Sequence, residues 1–164
     1  MHTPRRIPAS LIHGQTNVPA DDVTAAGPIP SEVLVVEDNL IIALDTEDML
    51  CKIGVKTVRL ASGVEEALKL IEQHPPDFTL LDVSLGGETS FALAATLAAQ
   101  GSLFAFSSAY GEPVAFPDNF SHVPRLRKPY SLNSLRSLLV SLRESLIPKS
   151  GNRFSEKDHA QVKR

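Results

Sequence analysis

Four short apolar runs in this sequence each lead into residues able to do chemistry. Val33-Leu34-Val35-Val36 ends in Glu37 and Asp38, and Phe78-Thr79-Leu80-Leu81 ends in Asp82. Leu103-Phe104-Ala105-Phe106 ends in Ser107 and Ser108, and a weaker run from His122 to Leu126 is followed by Lys128. Runs of this length and composition read as strands, and strands apolar on both faces belong to a parallel sheet covered on each side. The carboxyl ends of such strands lie along one edge, which is where open α/β sheets bind ligands. Three carboxylates, a hydroxyl and an ammonium would then share one rim. Crowded carboxylates repel, and a divalent cation relieves that cost; a set of hard oxygen donors suits Mg²⁺. A carboxylate can also attack phosphorus to give an acyl phosphate, with metal and lysine neutralising charge on the phosphoryl oxygens and the serine donating to one of them. No large substrate pocket is needed for that chemistry.

Taken singly, each feature has a bland explanation. Glu37-Asp38 could be a polar strand-to-helix turn, Ser107-Ser108 a loop, Lys128-Pro129 a surface turn and Asp82 a turn cap. Four independent strand ends agreeing in type and order favour the chemical reading.

The elements that must position these residues alternate along the chain. After the first strand, Asn39 can cap a helix whose inward face is Ile42, Thr46, Met49, Leu50 and Ile53, closed by Gly54. A second strand runs from Val55 to Leu60. Ser62-Gly63-Val64-Glu65 reads as a capping box opening a helix with Val64, Ala67, Leu68 and Ile71 on one face, ended by His74-Pro75-Pro76. Thr89 or Ser90 can cap an alanine-rich third helix from Phe91 to Gln100, apolar nearly all round, with Gly101 stopping it. From Glu112 to Ser121 the prolines at 113 and 117 and Asp118-Asn119 predict a loop or broken turn where a fourth helix would stand. Ser131 can cap a last helix carrying the stripe Leu132, Leu135, Leu139, Leu142 and Leu146, widened by Leu138. The order β-α-β-α-β-α-β-loop-β-α predicts an α/β fold, a doubly wound parallel sheet with helices on both faces.

Length and composition bound the rest. The 164 residues carry a net charge of −3, which gives no basic footprint for nucleic acid or an anionic membrane. No apolar run approaches the length of a membrane span, and no secretory core follows Arg5 and Arg6. Cys51 is the sole cysteine, the five histidines lack metal-site spacing, and aromatics make up 5%. These facts predict a soluble, cytoplasmic, single-domain protein: a flexible N-terminal tail over 1–31, a folded domain over 32–147 and a flexible C-terminal tail over 148–164.

The motifs, in their order and spacing, resemble the receiver domain of bacterial two-component response regulators over about residues 32–147. They are Val-Leu-Val-Val-Glu-Asp-Asn at 33–39, Leu-Leu-Asp-Val at 80–83, Ser-Ala-Tyr at 108–110 and Lys-Pro-Tyr at 128–130. The chain is also similar to a single-domain subgroup with Leu-Gly-Gly-Glu after the phosphorylated Asp and a Phe-x-Phe-x-Thr-Gly-Tyr-like fourth strand. That motif stands here as Phe-Ala-Phe-Ser-Ser-Ala-Tyr at 104–110. The resemblance implies a flavodoxin-like five-stranded sheet of order 2-1-3-4-5. It implies that Asp82 accepts a phosphoryl group from a phosphohistidine on a sensor histidine kinase or histidine phosphotransfer protein. Asp38 would bind Mg²⁺ directly, Glu37 through water, and the backbone carbonyl of Ser84 would be a further ligand alongside Asp82. Ser108 would be the switch hydroxyl, with Ser107 leaving the register open by one, and Lys128 would pair with the phosphate.

Two departures bear on switching. The position three before the lysine, usually aromatic, is Arg125, with Tyr110 the nearest substitute. The segment 112–121 replaces the usual fourth helix and is expected to be mobile without phosphate and ordered with it. The resemblance implies a signalling protein, not an enzyme in the ordinary sense, that assists its own phosphorylation and dephosphorylation. Output would pass through an unidentified partner protein or by draining phosphate from a shared kinase, and the leucine stripe is a candidate surface for a homodimer. The alternatives are a Mg²⁺-dependent phosphatase with an aspartyl nucleophile, which would need an acid where Ser84 stands, and an unphosphorylated scaffold of the same fold.

Overall fold

The computed structural model describes residues 29–111 and 114–144. Most of both expected tails, Leu146 and the pair 112–113 lie outside the described residues. Five parallel strands form one sheet: β1 (Glu32–Val36), β2 (Thr57–Ala61), β3 (Phe78–Asp82), β6 (Phe104–Ser108) and β7 (Arg125–Arg127), in spatial order β2-β1-β3-β6-β7. Counting the strands of this sheet alone, the order is 2-1-3-4-5. Two further strands, β4 (Ser84–Leu85) and β5 (Glu88–Thr89), pair with each other as a small antiparallel hairpin.

Strand periodicity divides the core in two. Val33 and Val35 of β1, with Phe78 and Leu80 of β3, pack with Leu50 and Ile53 of α1 (Leu40–Ile53) and with Leu135, Leu138, Leu139 and Leu142 of α4 (Leu132–Glu144). Leu34, Val36 and Leu81 pack on the other face with Ala67 and Ile71 of α2 (Val64–Gln73) and with Leu93, Ala94 and Leu97 of α3 (Phe91–Ala99). Each fully buried Leu or Val contributes about 1.5–3 kcal/mol by removal from water. Of the leucine stripe of α4, Leu135, Leu138, Leu139 and Leu142 are buried in this core, and Leu132 packs against it partly exposed.

Local chemistry sets the helix ends. Asn39 caps α1 by accepting from the backbone of Ile41 and Ile42, and Gly54 closes it at φ 115°. The capping box of α2 is displaced from its expected position. Gly63 is the N-cap, and Glu66, not Glu65, reaches back to both the N–H and the hydroxyl of Ser62. Ser90 precedes α3 but makes no side-chain cap, and its buried hydroxyl lacks a hydrogen-bond partner. Among the described residues, no α-helix stands between β6 and β7. Residues 114–117 form no regular structure, and a single 3-10 turn spans Asp118–Phe120. Phe116 and Phe120 anchor this segment in an aromatic cluster with Phe91 and Phe106, with ring centroids 5.3–6.0 Å apart. The last strand is shorter and later than expected, because Pro124 offers only its carbonyl, which accepts from Phe106.

Candidate functional site

Parallel alignment carries the ends of β1, β3, β6 and β7 to one rim. Register pairs Val36 with Leu81 and Asp82 with Ser107, so Glu37 and Asp82 stand side by side just past the core. Glu37 is 4% and Asp82 5% exposed, whereas Asp38 faces solvent. One carboxylate oxygen from each of the three lies within 4.8 Å of the others.

Lys128 reaches into this group from the end of β7. Its Nζ donates to Glu37 Oε2 at 2.5 Å and to Asp82 Oδ2 at 2.8 Å. Its backbone N–H donates to the carbonyl of Ser108 at 2.8 Å, and its bond to Pro129 is cis. Glu37 also accepts from the N–H of Asn39, the α1 cap residue, at 3.1 Å. Asp82 accepts from the N–H of Ser84. Burial pushes the Asp82 carboxyl up to about 6, a rise that Lys128 opposes and the neighbouring Glu37 charge reinforces. Burial works against the Lys128 ammonium, but its bonds to Asp82 and Glu37 and their charge outweigh that and hold its pKa above the ordinary lysine value.

Asp38 has a partner that the sequence did not announce. Its Oδ2 accepts from the N–H of Gly86 at 2.9 Å. Gly86 and Gly87 form the two-residue turn of the β4–β5 hairpin, with φ of 58° and 96°. A hairpin turn positive at both central residues favours glycine at each. The Leu-Gly-Gly-Glu sequence, read only as a loop, is thus a hairpin tip pinned against the acid cluster.

All the expected side chains except one serine can be placed by their contacts. Glu37, Asp38, Asp82 and Lys128 converge, and Ser84 lies next to Asp82. Ser107 is level with Asp82 and 2% exposed, while Ser108, one residue further along, is half-buried. Arg125, the residue in the usual aromatic position, stacks its guanidinium 3.7 Å above the Phe116 ring, and Arg127 sits 5.3 Å from the Tyr110 ring.

Beside the acids, α1 and the loops after β6 and β7 frame a cavity of about 580 Å³ lined by Ile41, Ile42, Met49, Tyr110, Pro129 and Tyr130, with Lys128 at its edge. Ile41 and Tyr110 of its lining are exposed, and Leu40 and Leu44 are exposed elsewhere on α1. Sequence reasoning assigned the inward face of α1 but passed over these outward residues. The available signal was three large apolar side chains lying off the inward stripe.

The cluster suits a hard divalent cation: it is built of carboxylate oxygens, is partly buried, and has one open, solvent-facing member in Asp38. Among the described residues, no helix is long and apolar enough to cross a membrane.

No family model matches the sequence. Among curated proteins, the chain is 37% identical over 67 residues to the transcriptional regulatory protein PdtaR of Mycobacterium tuberculosis, which covers 41% of this chain and 32% of PdtaR. It is 37% identical over 57 residues to the polar-differentiation response regulator DivK of Brucella anthropi, covering 35% of this chain and 46% of DivK. The matches thus span less than half the length of these relatives. Among solved structures, SdrG of Sphingomonas melonis Fr1 is 31% identical, with a TM-score of 0.63 over 71% of this chain and 99% of SdrG. With a sheet of order 2-1-3-4-5 and an acid cluster joined by a lysine at its carboxyl edge, the chain belongs to the receiver-domain family of two-component response regulators.

Proposed function

We propose that Asp82 is the phospho-acceptor, loaded from a phosphohistidine on a sensor histidine kinase or a histidine phosphotransfer protein. The observation that carries this reading is the single ammonium of Lys128 held against two buried acids from two different strands. An oxygen of Asp82 attacks phosphorus, the P–O bond forms as the P–N bond breaks, and the electron pair leaves with the imidazole. Lys128 neutralises the charge arriving on the phosphoryl oxygens. Ser108 donates its hydroxyl to one of them. Its half-exposed position past the level of Asp82 supports Ser108 over the enclosed Ser107. Asp38, Asp82 and the Ser84 carbonyl would hold Mg²⁺ directly, with Glu37 acting through water. The ion, when bound, supplies charge neutralisation at the acyl phosphate. The same residues assist hydrolysis of the acyl phosphate.

The donor docks on the exposed apolar end of α1 and the cavity beside it, because Lys128 of the acid cluster lines the same cavity as the exposed Ile41 and Tyr110. Output passes by contact with another protein or by draining phosphate from a shared kinase. The exchange takes place in the cytoplasm, where a lone exposed thiol such as Cys51 is at home.

Incubation with acetyl phosphate and Mg²⁺, read by intact mass, should add one phosphate to the wild-type chain and none to Asp82→Asn. Equal modification of both would show that another residue is the acceptor. Ile41→Glu should slow transfer from the kinase while leaving uptake from acetyl phosphate unchanged.

A further inference from the structure

Lys128 is strung between two anchors. On one side its own N–H is bonded to the carbonyl of Ser108 on β6. On the other, two residues along, the Tyr130 hydroxyl lies 2.7 Å from Thr46 Oγ1, deep in α1. Proton counting fixes the direction of that second bond. The single hydroxyl proton of Thr46 is given to the carbonyl of Ile42 at 2.8 Å, so the Tyr130 hydroxyl is the donor. Thr46 is fully enclosed and already satisfied through Ile42. Helix α1 therefore does not need Tyr130, whereas the loop bearing Lys128 gains a fixed distance from α1. That helix starts at Leu40, immediately after Glu37, Asp38 and the cap Asn39. A bond from Tyr130 to Thr46 thus sets the loop that carries the amine against the helix that directly follows two of the acids.

We propose that Tyr130 is a positioning residue: its hydroxyl, pegged to Thr46, holds the Lys128 loop against α1 so that Nζ meets Glu37 and Asp82 together. A lysine carries four rotatable methylenes, and its ammonium is a point charge with no geometric preference of its own. Bridging two acids at 2.5 and 2.8 Å therefore depends on where the backbone delivers it. The ring of Tyr130 packs with the core on the α1 and α4 side, so Tyr130→Phe keeps the packing and deletes only the peg. Thr46→Val deletes the same bond from the other end.

This inference rests on the reading of Asp82 as acceptor and Lys128 as phosphate partner. The test titrates the full-length chain with beryllofluoride in the presence of Mg²⁺. Tyr130→Phe and Thr46→Val should each weaken binding about five-fold, the worth of one net hydrogen bond. In a Lys128→Met background, Tyr130→Phe should change nothing further, because its effect passes through the amine. The Lys128 ammonium signal in NMR should also exchange with water several-fold faster in Tyr130→Phe than in wild type. Wild-type affinity in Tyr130→Phe, an equal loss in the Lys128→Met background, or an unaltered ammonium signal would each overturn the positioning role. If the wild-type chain itself neither binds beryllofluoride nor takes phosphate from acetyl phosphate, the acceptor assignment is what fails.

Discussion

Replacing Asp82 by Asn should make the protein more stable at neutral pH while abolishing phosphate uptake. The carboxyl is 5% exposed, and burial pushes its pKa from 3.8 to about 6 despite the bond from Lys128. Each pKa unit corresponds to about 1.4 kcal/mol, so keeping this group ionised in the folded state costs about 3 kcal/mol at pH 7.5. Because the folded-state pKa lies above the unfolded one, the penalty is absent below about pH 4, where the acid is neutral in both states. It grows between about pH 4 and pH 6 and is constant above that. Asn keeps an oxygen to accept from Lys128, and Lys128 keeps Glu37. Urea unfolding followed by circular dichroism should therefore place Asp82→Asn about 1–3 kcal/mol above wild type at pH 7.5, with the gap closing toward pH 4. For a domain of this size that is a Tm gain of about 4–12 °C. A destabilised variant at pH 7.5, or a gain independent of pH, would refute the idea that burial strains this acid.

Three further outcomes follow from the same geometry. Adding Mg²⁺ at ten times its dissociation constant should stabilise the wild type by about 1.4 kcal/mol in the same unfolding assay. The gain should disappear in Asp38→Asn and fade as pH falls below about 6, where Asp82 takes up a proton. Lys128→Met should cost about 3 kcal/mol without metal, since it leaves two enclosed acids unneutralised, and saturating Mg²⁺ should restore part of the loss. Phe120→Ala should cost about 3–5 kcal/mol by opening a cavity among the aromatic rings, whereas Arg125→Ala should cost only about 0.5–1 kcal/mol. In both variants, hydrogen exchange in the 114–121 segment should speed up.

The parts of this molecule that were legible in the sequence are those set by repetition or punctuation. Val33 to Val36 is a continuous apolar run and Phe78 to Leu81 is broken only by the β-branched Thr79, because both faces of the sheet are covered, and such runs give strands and their polar ends at once. Asn39, Gly54 and Pro75 act within one turn of themselves, so their roles could be read locally. What escaped were contacts between residues far apart in sequence whose types carry no fixed meaning. Gly86 looked like a loop glycine, and only the three-dimensional closure brings its N–H to Asp38, 48 residues away. Tyr130 was visible in the Lys-Pro-Tyr motif, but its hydroxyl partner, Thr46, lies 84 positions earlier. Glu66 displaced Glu65 in the α2 cap because a glycine, not Ser62, occupies the cap position, which moves the reach of the carboxylate by one residue.

The replacement of an aromatic by Arg125 also has a physical reading once Phe116 is in view. In a segment without helical hydrogen bonds, side-chain anchors must do what a backbone ladder does elsewhere. Phe116 and Phe120 pack on Phe91 and Phe106, and the guanidinium of Arg125 lies over the Phe116 ring. The register places Arg125 opposite Phe106 and Arg127 opposite Ser108, so the two arginines flank the connection that leaves β6. The acid cluster at its other side is unbalanced: three carboxylates face one ammonium, which leaves two negative charges for a divalent cation to match. A rise in charge on Asp82 then falls first on Lys128, whose N–H is bonded to Ser108, and Ser108 begins the same connection that the arginines hold. Lys128 therefore joins the acid cluster to Ser108, the last residue of β6, through a side-chain bond to Asp82 and one backbone hydrogen bond.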